Sequence, residues 1–208
     1  MAELNEIAAI VLAAGLSRRF GSDKLIHRIK AHGTELPILA CSLIPWLDTF
    51  ESVTVVIRPQ AESFCSSIEI ALGRHYANKV RWVSSAGSLQ GMGFSLADGI
   101  RLNHLAAGWL IGLGDMPILP KIAIESVREA IIEGAPIAAP FYHGRQGHPV
   151  GFSSAFKDQL LGLQGDRGAK SLLDRYESQI LKIEINDAGI FSDIDTLDDL
   201  HGLPTKIK

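Results

Sequence analysis

Apolar residues fall along this chain in short runs of about six, separated by longer stretches in which they recur at helical spacing. The runs at 7–14 (IAAIVLAA), 52–58, 80–84, 109–113, 136–140, 149–152 and 180–185 predict strands, and 37–47, 60–72, 94–105 and 121–132 predict helices. The first of these helices carries Pro45, which bends or ends it, because proline lacks the amide donor a helix interior needs. Strands that are apolar throughout, and that alternate with helices, belong to a sheet covered on both faces. The predicted fold is therefore α/β: an open, mostly parallel, Rossmann-like twisted sheet with helices on both faces. The segment FYHGRQGHPVGF (141–152) is expected to leave the sheet and add a substrate-side wall to a cleft. Ligands of such sheets bind beyond the carboxyl ends of the strands, which directs attention to the loops after the first, third and fourth.

Composition narrows the picture. At 208 residues with 47% hydrophobic content, the chain has the size and core material of one domain spanning 1–208. A net charge of −3 leaves no general basic field for nucleic acid or an anionic membrane, so any anion must be held locally. No apolar stretch reaches the roughly 20 residues of a membrane span, and the first residues lack a signal-type pattern, so a cytoplasmic protein is expected. Cys41 and Cys65 form no CxxC pair and are expected as reduced, packed thiols.

The first loop carries the strongest chemical signal. In VLAAGLSRRFGSDKL (11–25) an apolar strand gives way to glycine, serine, two arginines and a lysine. Glycine allows close backbone approach, and successive amides of such a turn can cradle an anion. Arg19 offers a planar fork for phosphate oxygens and Lys24 a compact point charge. Taken from these residues alone, a solvated turn with surface charges is the competing reading. Five residues separate Gly15 from Gly21 and no GK[ST] follows, so this is not a P-loop, and no GxGxxG is present.

The spacing of LAAGLSRRFGSDKL matches LAAGxSxRxGxxK and resembles the signature of the MobA-like nucleotidyltransferases, in particular the molybdenum cofactor cytidylyltransferases. The resemblance implies a fold like that of the nucleotide-diphospho-sugar transferases. It also implies that Leu12, Ala13, Ala14 and Gly15 line the nucleotide, that Ser17, Arg19 and Gly21 serve the phosphates, and that Lys24 lies beside the reacting phosphate.

Asp115, in WLIGLGDMPIL, ends the fourth strand; from its position alone it is either a helix cap or a ligand for a divalent cation. Its GDMP also resembles the family's GDxP metal motif. In FSDIDTLDDLHGL, Asp193 and Asp195 are two apart and share one side if the backbone is extended, so both can reach one cation; the competing reading is the acidic first turn of a helix begun at Thr196. That segment resembles the family's DIDTPEDL ending, with Leu197 in place of proline, and the resemblance implies Asp195 as the second metal ligand with Asp193 beside it.

Three further segments are similar to family motifs. QGMGFSL implies Gln90, Gly91 and Ser95 at the nucleoside, whereas GHPV and GDRGAK imply His148, Asp166 and Lys170 on the acceptor side, Lys170 standing where the family has arginine. The resemblance thus implies transfer of a nucleotide, CMP from CTP with GTP as the alternative, to the phosphate of a molybdopterin-type substrate. Arg19, Lys24 and Asp115 would be catalytic, magnesium or manganese the metal, and a molybdoenzyme or its chaperone a downstream partner. Two rivals are a transferase acting on a sugar phosphate or other phosphorylated metabolite, and a protein that binds nucleotide without turnover.

Overall fold

The computed structural model describes residues 6–17, 20–21, 23–31 and 34–203. In chain order its elements are β1 (Ile7–Leu12), β2 (Arg28–Ala31), β3 (Thr34–Pro37), α1 (Ile38–Leu47), β4 (Val53–Ile57), α2 (Glu62–Ala77), β5 (Val80–Ser84), α3 (Met92–Leu102), β6 (Gly108–Leu113), α4 (Lys121–Ile132), β7 (Ile137–Tyr142), β8 (Arg145–Gln146), β9 (Val150–Ser153), α5 (Lys157–Leu161), α6 (Lys170–Arg175) and β10 (Ile180–Glu184). Seven strands run in the order β10-β7-β9-β6-β1-β4-β5, and β8 adds to β7 as the eighth. β9 is antiparallel to both of its neighbours, whereas β5, β4, β1 and β6 pair in parallel, as does β10 with β7. The result is the open, mostly parallel sheet that the alternation of apolar runs and helical stretches predicts.

Both faces of the sheet are buried, and the period-two alternation along β1 shows how. Ile7, Ala9 and Val11 enter one core layer with α1, α2 and α4, while Ile10 enters the other with α3, α5 and α6. The first layer is tight enough to dictate a glycine: a Cβ on Gly112 of β6 would lie 2.2 Å from the Trp46 ring of α1. α1 passes through Pro45 and ends at Leu47, so the missing amide falls in the last turn and only curtails the helix.

All seven predicted strands are present. The β2–β3 hairpin, β8, α5 and α6 are additional, each six residues or shorter and hence weakly patterned. α2 starts at Glu62 and extends past the predicted end at Leu72, interrupted by Gly73 with φ 72°. The 141–152 segment corrects the expectation of an excursion, because most of it stays in the sheet. Beyond Tyr142 the chain reverses at His143 and Gly144, with φ of 50° and 75°. Such a two-residue positive-φ turn suits a hairpin; it sends β8 back along β7 with Tyr142 opposite Arg145. Among the described residues, no helix is long and apolar enough to cross a membrane.

Candidate active site

The carboxyl ends of β1, β4 and β6 meet at one point. Gly114 N donates to Leu12 O at 2.9 Å and Ala13 N to Val56 O at 2.8 Å, so the chain leaves β1 with its backbone still tied to both neighbours. The loop then turns at Ser17, whose φ is 50°, and Phe20, 4% exposed, pins it to the core. Ser17 Oγ accepts a hydrogen bond from Lys24 N at 3.2 Å, and Asp23 Oδ1 accepts one from Leu25 N at 3.3 Å. These two contacts fix the single 3-10 turn, Lys24–Ile26, that carries the lysine.

Lys24 is buried, and its ammonium reaches three oxygens from two other segments. Nζ lies 2.7 Å from Asp115 Oδ2, 3.0 Å from Asp195 Oδ1 and 2.6 Å from Ile194 O. The two carboxylate-bearing segments are themselves joined, Ile194 N donating to Asp115 O at 3.0 Å. Burial disfavours the ammonium, but the two carboxylates outweigh it and hold the Lys24 pKa above the ordinary lysine value. For Asp115 the balance runs the other way: burial pushes its carboxyl above the ordinary carboxylate range against the pull of Lys24, and the charge of Asp193 adds to the rise.

Asp115 is not a helix cap. Met116 to Leu119 form turns, and α4 begins only at Lys121, with Pro120 before it. Its second oxygen, Oδ1, is buried and has no hydrogen-bond partner among the described residues. A buried acceptor in that condition is normally satisfied by something, and a divalent cation suits an anionic oxygen best. Among the described residues, no three His, Cys, Asp or Glu side chains gather as a ready cage.

Asp193 and Asp195 lie in irregular chain rather than in a helix begun at Thr196; the following 3-10 turn is Asp198–Gly202. Asp199 reaches back to accept hydrogen bonds from Asp195 N at 2.9 Å and Thr196 N at 2.7 Å. The backbone amides of Thr196 and then Asp195 hold its carboxyl below the usual range. Asp193 is exposed, and its charge acts on both Asp115 and His148. His148 Nδ1 is enclosed with no hydrogen-bond partner among the described residues, and burial pushes its pKa below the ordinary histidine value against the charge of Asp193. His148 N donates to Ile190 O at 2.9 Å, which seats the β8 side on the turn leading into Asp193. On this wall the Arg145 guanidinium covers the Phe191 ring at 4.3 Å.

The remaining expected residues fall into separate groups. Leu12 is half-buried, Ala13 and Ala14 are buried, and Gly15 and Gly21 are exposed along the first loop. Arg19 lies outside the described residues. Gln90 is exposed, whereas Ser95 is only 3% exposed inside α3, a position suited to packing and closed to solvent. Gly91 sits against the 164–170 segment: a Cβ there would lie 2.3 Å from Gly165 O and 2.8 Å from Asp166 N, and Gly93 N donates to Gly165 O at 2.8 Å. The QGMGFSL and GDRGAK segments are thus in direct backbone contact. Asp166 and Lys170 are exposed, the latter opening α6.

One contact of the first loop comes from a residue that belongs to no motif in the sequence. Arg58, just beyond β4, forms an ion pair with Asp23 and donates through Nη1 to Gly15 O at 3.3 Å, bracing both ends of the first loop. The signal was an arginine placed at the carboxyl end of a predicted strand.

Comparison with known proteins bears on what this arrangement does. Residues 9–180 match the MobA-like NTP transferase domain. Purine catabolism protein PucB of Bacillus subtilis (strain 168) is 30% identical over 199 residues, covering 91% of this chain and 92% of its own. Rv0371c of Mycobacterium tuberculosis H37Rv superimposes with a TM-score of 0.77 at 22% identity, covering 95% of this chain and 96% of its own. Its complex with manganese gives 0.73 at 21%, with coverage of 95% and 97%. Molybdopterin-guanine dinucleotide biosynthesis protein A of Archaeoglobus fulgidus superimposes at 0.62 with 19% identity, covering 94% and 96%. With the loop, the carboxylates and the sheet order all in place, the chain belongs to the MobA-like NTP transferase family and is, at that level, a nucleotidyltransferase.

Proposed function

We propose that this protein, as a single domain spanning 1–208, transfers CMP from CTP to the phosphate of a molybdopterin-type acceptor and releases pyrophosphate, with magnesium or manganese as the metal. The observation that carries this reading is the cluster of Lys24, Asp115 and Asp195 at the carboxyl ends of β1 and β6, with Asp115 Oδ1 beside it unpartnered among the described residues. Asp115 and Asp195 would hold the divalent cation, with Asp193 beside them. When bound, such a cation neutralises charge developing on the phosphates.

The chain's own contribution is alignment and charge. An oxygen of the acceptor's phosphate attacks the α-phosphorus, a new P–O bond forms, and the bond to the β-phosphate breaks as pyrophosphate leaves. A phosphate monoester is already anionic at neutral pH, its second ionisation lying near 6, so no side chain has to remove a proton. Lys24, kept protonated by its carboxylate neighbours, supplies fixed positive charge, and the backbone from Ala13 to Ser17 together with Arg19 receives the triphosphate. Gln90 on the nucleoside side and His148, Asp166 and Lys170 on the acceptor side complete the reading.

The test is pyrophosphate release with magnesium and molybdopterin-type cofactor, comparing CTP, GTP and ATP. The expected outcome is turnover with CTP that requires the acceptor. Preference for GTP would keep the mechanism and change the product, turnover with a sugar phosphate instead would change the acceptor, and no release with any triphosphate would overturn the proposal. Lys24→Ala and Asp115→Ala are expected to lower the rate on the order of 10²–10³-fold, with the fold retained by circular dichroism.

A further inference from the structure

A lysine ammonium has three N–H donors, and in Lys24 each has an acceptor: Ile194 O at 2.6 Å, Asp115 Oδ2 at 2.7 Å and Asp195 Oδ1 at 3.0 Å. The ammonium is saturated by the protein, with nothing left to offer a phosphate. The two carboxylates proposed to hold a divalent cation meanwhile each spend an oxygen on the lysine. In this arrangement Lys24 has no donor to offer a phosphate, and a cation drawn to Asp115 Oδ1 would meet the ammonium already held at Oδ2 of the same carboxylate, so the cluster must rearrange before turnover.

The structure also shows where the rearrangement is confined. The backbone beneath Lys24 is fixed by Ser17 and by the Asp23 cap, and Asp115 and Ile194 are tied to each other. What remains free to move is the four-carbon lysine stem, whose ammonium is a point charge able to exchange acceptors by rotation. We propose that Lys24 is the resident cation of Asp115 and Asp195 in the nucleotide-free protein, yielding them to a divalent metal only when a triphosphate arrives to accept its ammonium. The inference rests on the nucleotidyltransferase reading and adds to it an order of events: metal and triphosphate enter together, and bare metal is held weakly. The lysine guards against idle metal occupancy of a buried acidic pair, and by linkage the triphosphate and the metal each strengthen the binding of the other.

The experiment is a titration of free Mn²⁺, followed by its electron paramagnetic resonance signal, on the wild type, Lys24→Met and Asp115→Asn, with and without CTP, GTP or ATP and with no acceptor present. Without nucleotide, the wild type is expected to bind Mn²⁺ no better than Asp115→Asn, and Lys24→Met at least about tenfold more tightly than the wild type, a factor of ten being 1.4 kcal/mol. A triphosphate is expected to raise the wild-type affinity by a larger factor than that of Lys24→Met. Lys24→Gln serves the same comparison if the methionine variant does not fold. Wild type that binds bare Mn²⁺ as tightly as the Lys24 variants, while a triphosphate still binds, overturns this inference and leaves the nucleotidyltransferase reading intact. If no triphosphate changes Mn²⁺ binding in any of the proteins, that reading fails and the inference fails with it.

Discussion

Arg58 shows how much a residue can matter without standing at the chemistry. Its guanidinium holds Asp23 and the carbonyl of Gly15, the two ends of the loop that delivers Lys24. Hydrogen bonds to charged groups are worth about 1.5–3 kcal/mol, and this pair is partly exposed, so the lower end applies. Arg58→Ala is therefore expected to raise KM for the triphosphate about tenfold with a smaller change in kcat, read by steady-state pyrophosphate release. His148 makes a different prediction, about stability. In the folded protein burial keeps its imidazole neutral below the ordinary pKa of 6.5, whereas in the unfolded chain it takes up a proton there. The unfolded state then binds more protons, so this contribution to stability is present above pH 6.5 and is lost as the pH falls below it. Urea unfolding at pH 7.5 and 5.5 should show a smaller loss for His148→Gln than for the wild type.

Elements position the site through close backbone packing. α3 begins where Gly91, with φ 135°, meets Gly165, and no side chain fits between them. Gly91→Ala introduces both a disfavoured backbone angle and a collision with backbone, which cannot give way as a flexible side chain can. The expected result is separation of the 85–92 and 164–170 segments, with several-fold weaker binding of nucleotide and acceptor together. Far from this contact, the two core layers should keep their protection from amide hydrogen exchange. Global unfolding by Gly91→Ala would instead make this contact part of the core's own stability. The short elements matter in the same way: the β7–β8 hairpin is only two residues deep, yet it places Arg145 over Phe191 and His148 beside the turn that leads to Asp193.

For the whole molecule, the proposed site joins parts distant in sequence, with Lys24 and Asp195 separated by 171 positions. A ligand that ties them together stabilises the folded chain by mass action, about 2.7 kcal/mol at a hundredfold excess over Kd. Magnesium with CTP is accordingly expected to raise Tm by more than the sum of the two alone, whereas Asp115→Asn should lose that excess. Equal, additive shifts in the wild type would show that the two ligands bind independently.

The sequence by itself determined the layers and the chemical inventory, because both are local. Predominantly apolar runs such as IAAIVL and VTVVI identify buried parallel strands by composition alone, and the LAAGLSRRFGSDKL and GDMP spacings disclose which residue types end those strands. Tertiary structure alone decided what each residue faces. The reading of Asp115 as a helix cap fell because the chain after it turns without a helix, and the Thr196 helix gave way to irregular chain with Asp199 folded back on it. The roles of Arg58, of Gly91 against Gly165 and of the three-oxygen seat of Lys24 are contacts between segments remote in the chain. Local propensity carries no record of such contacts, because they arise only when parallel crossovers bring the carboxyl ends of separate strands to one edge of the sheet.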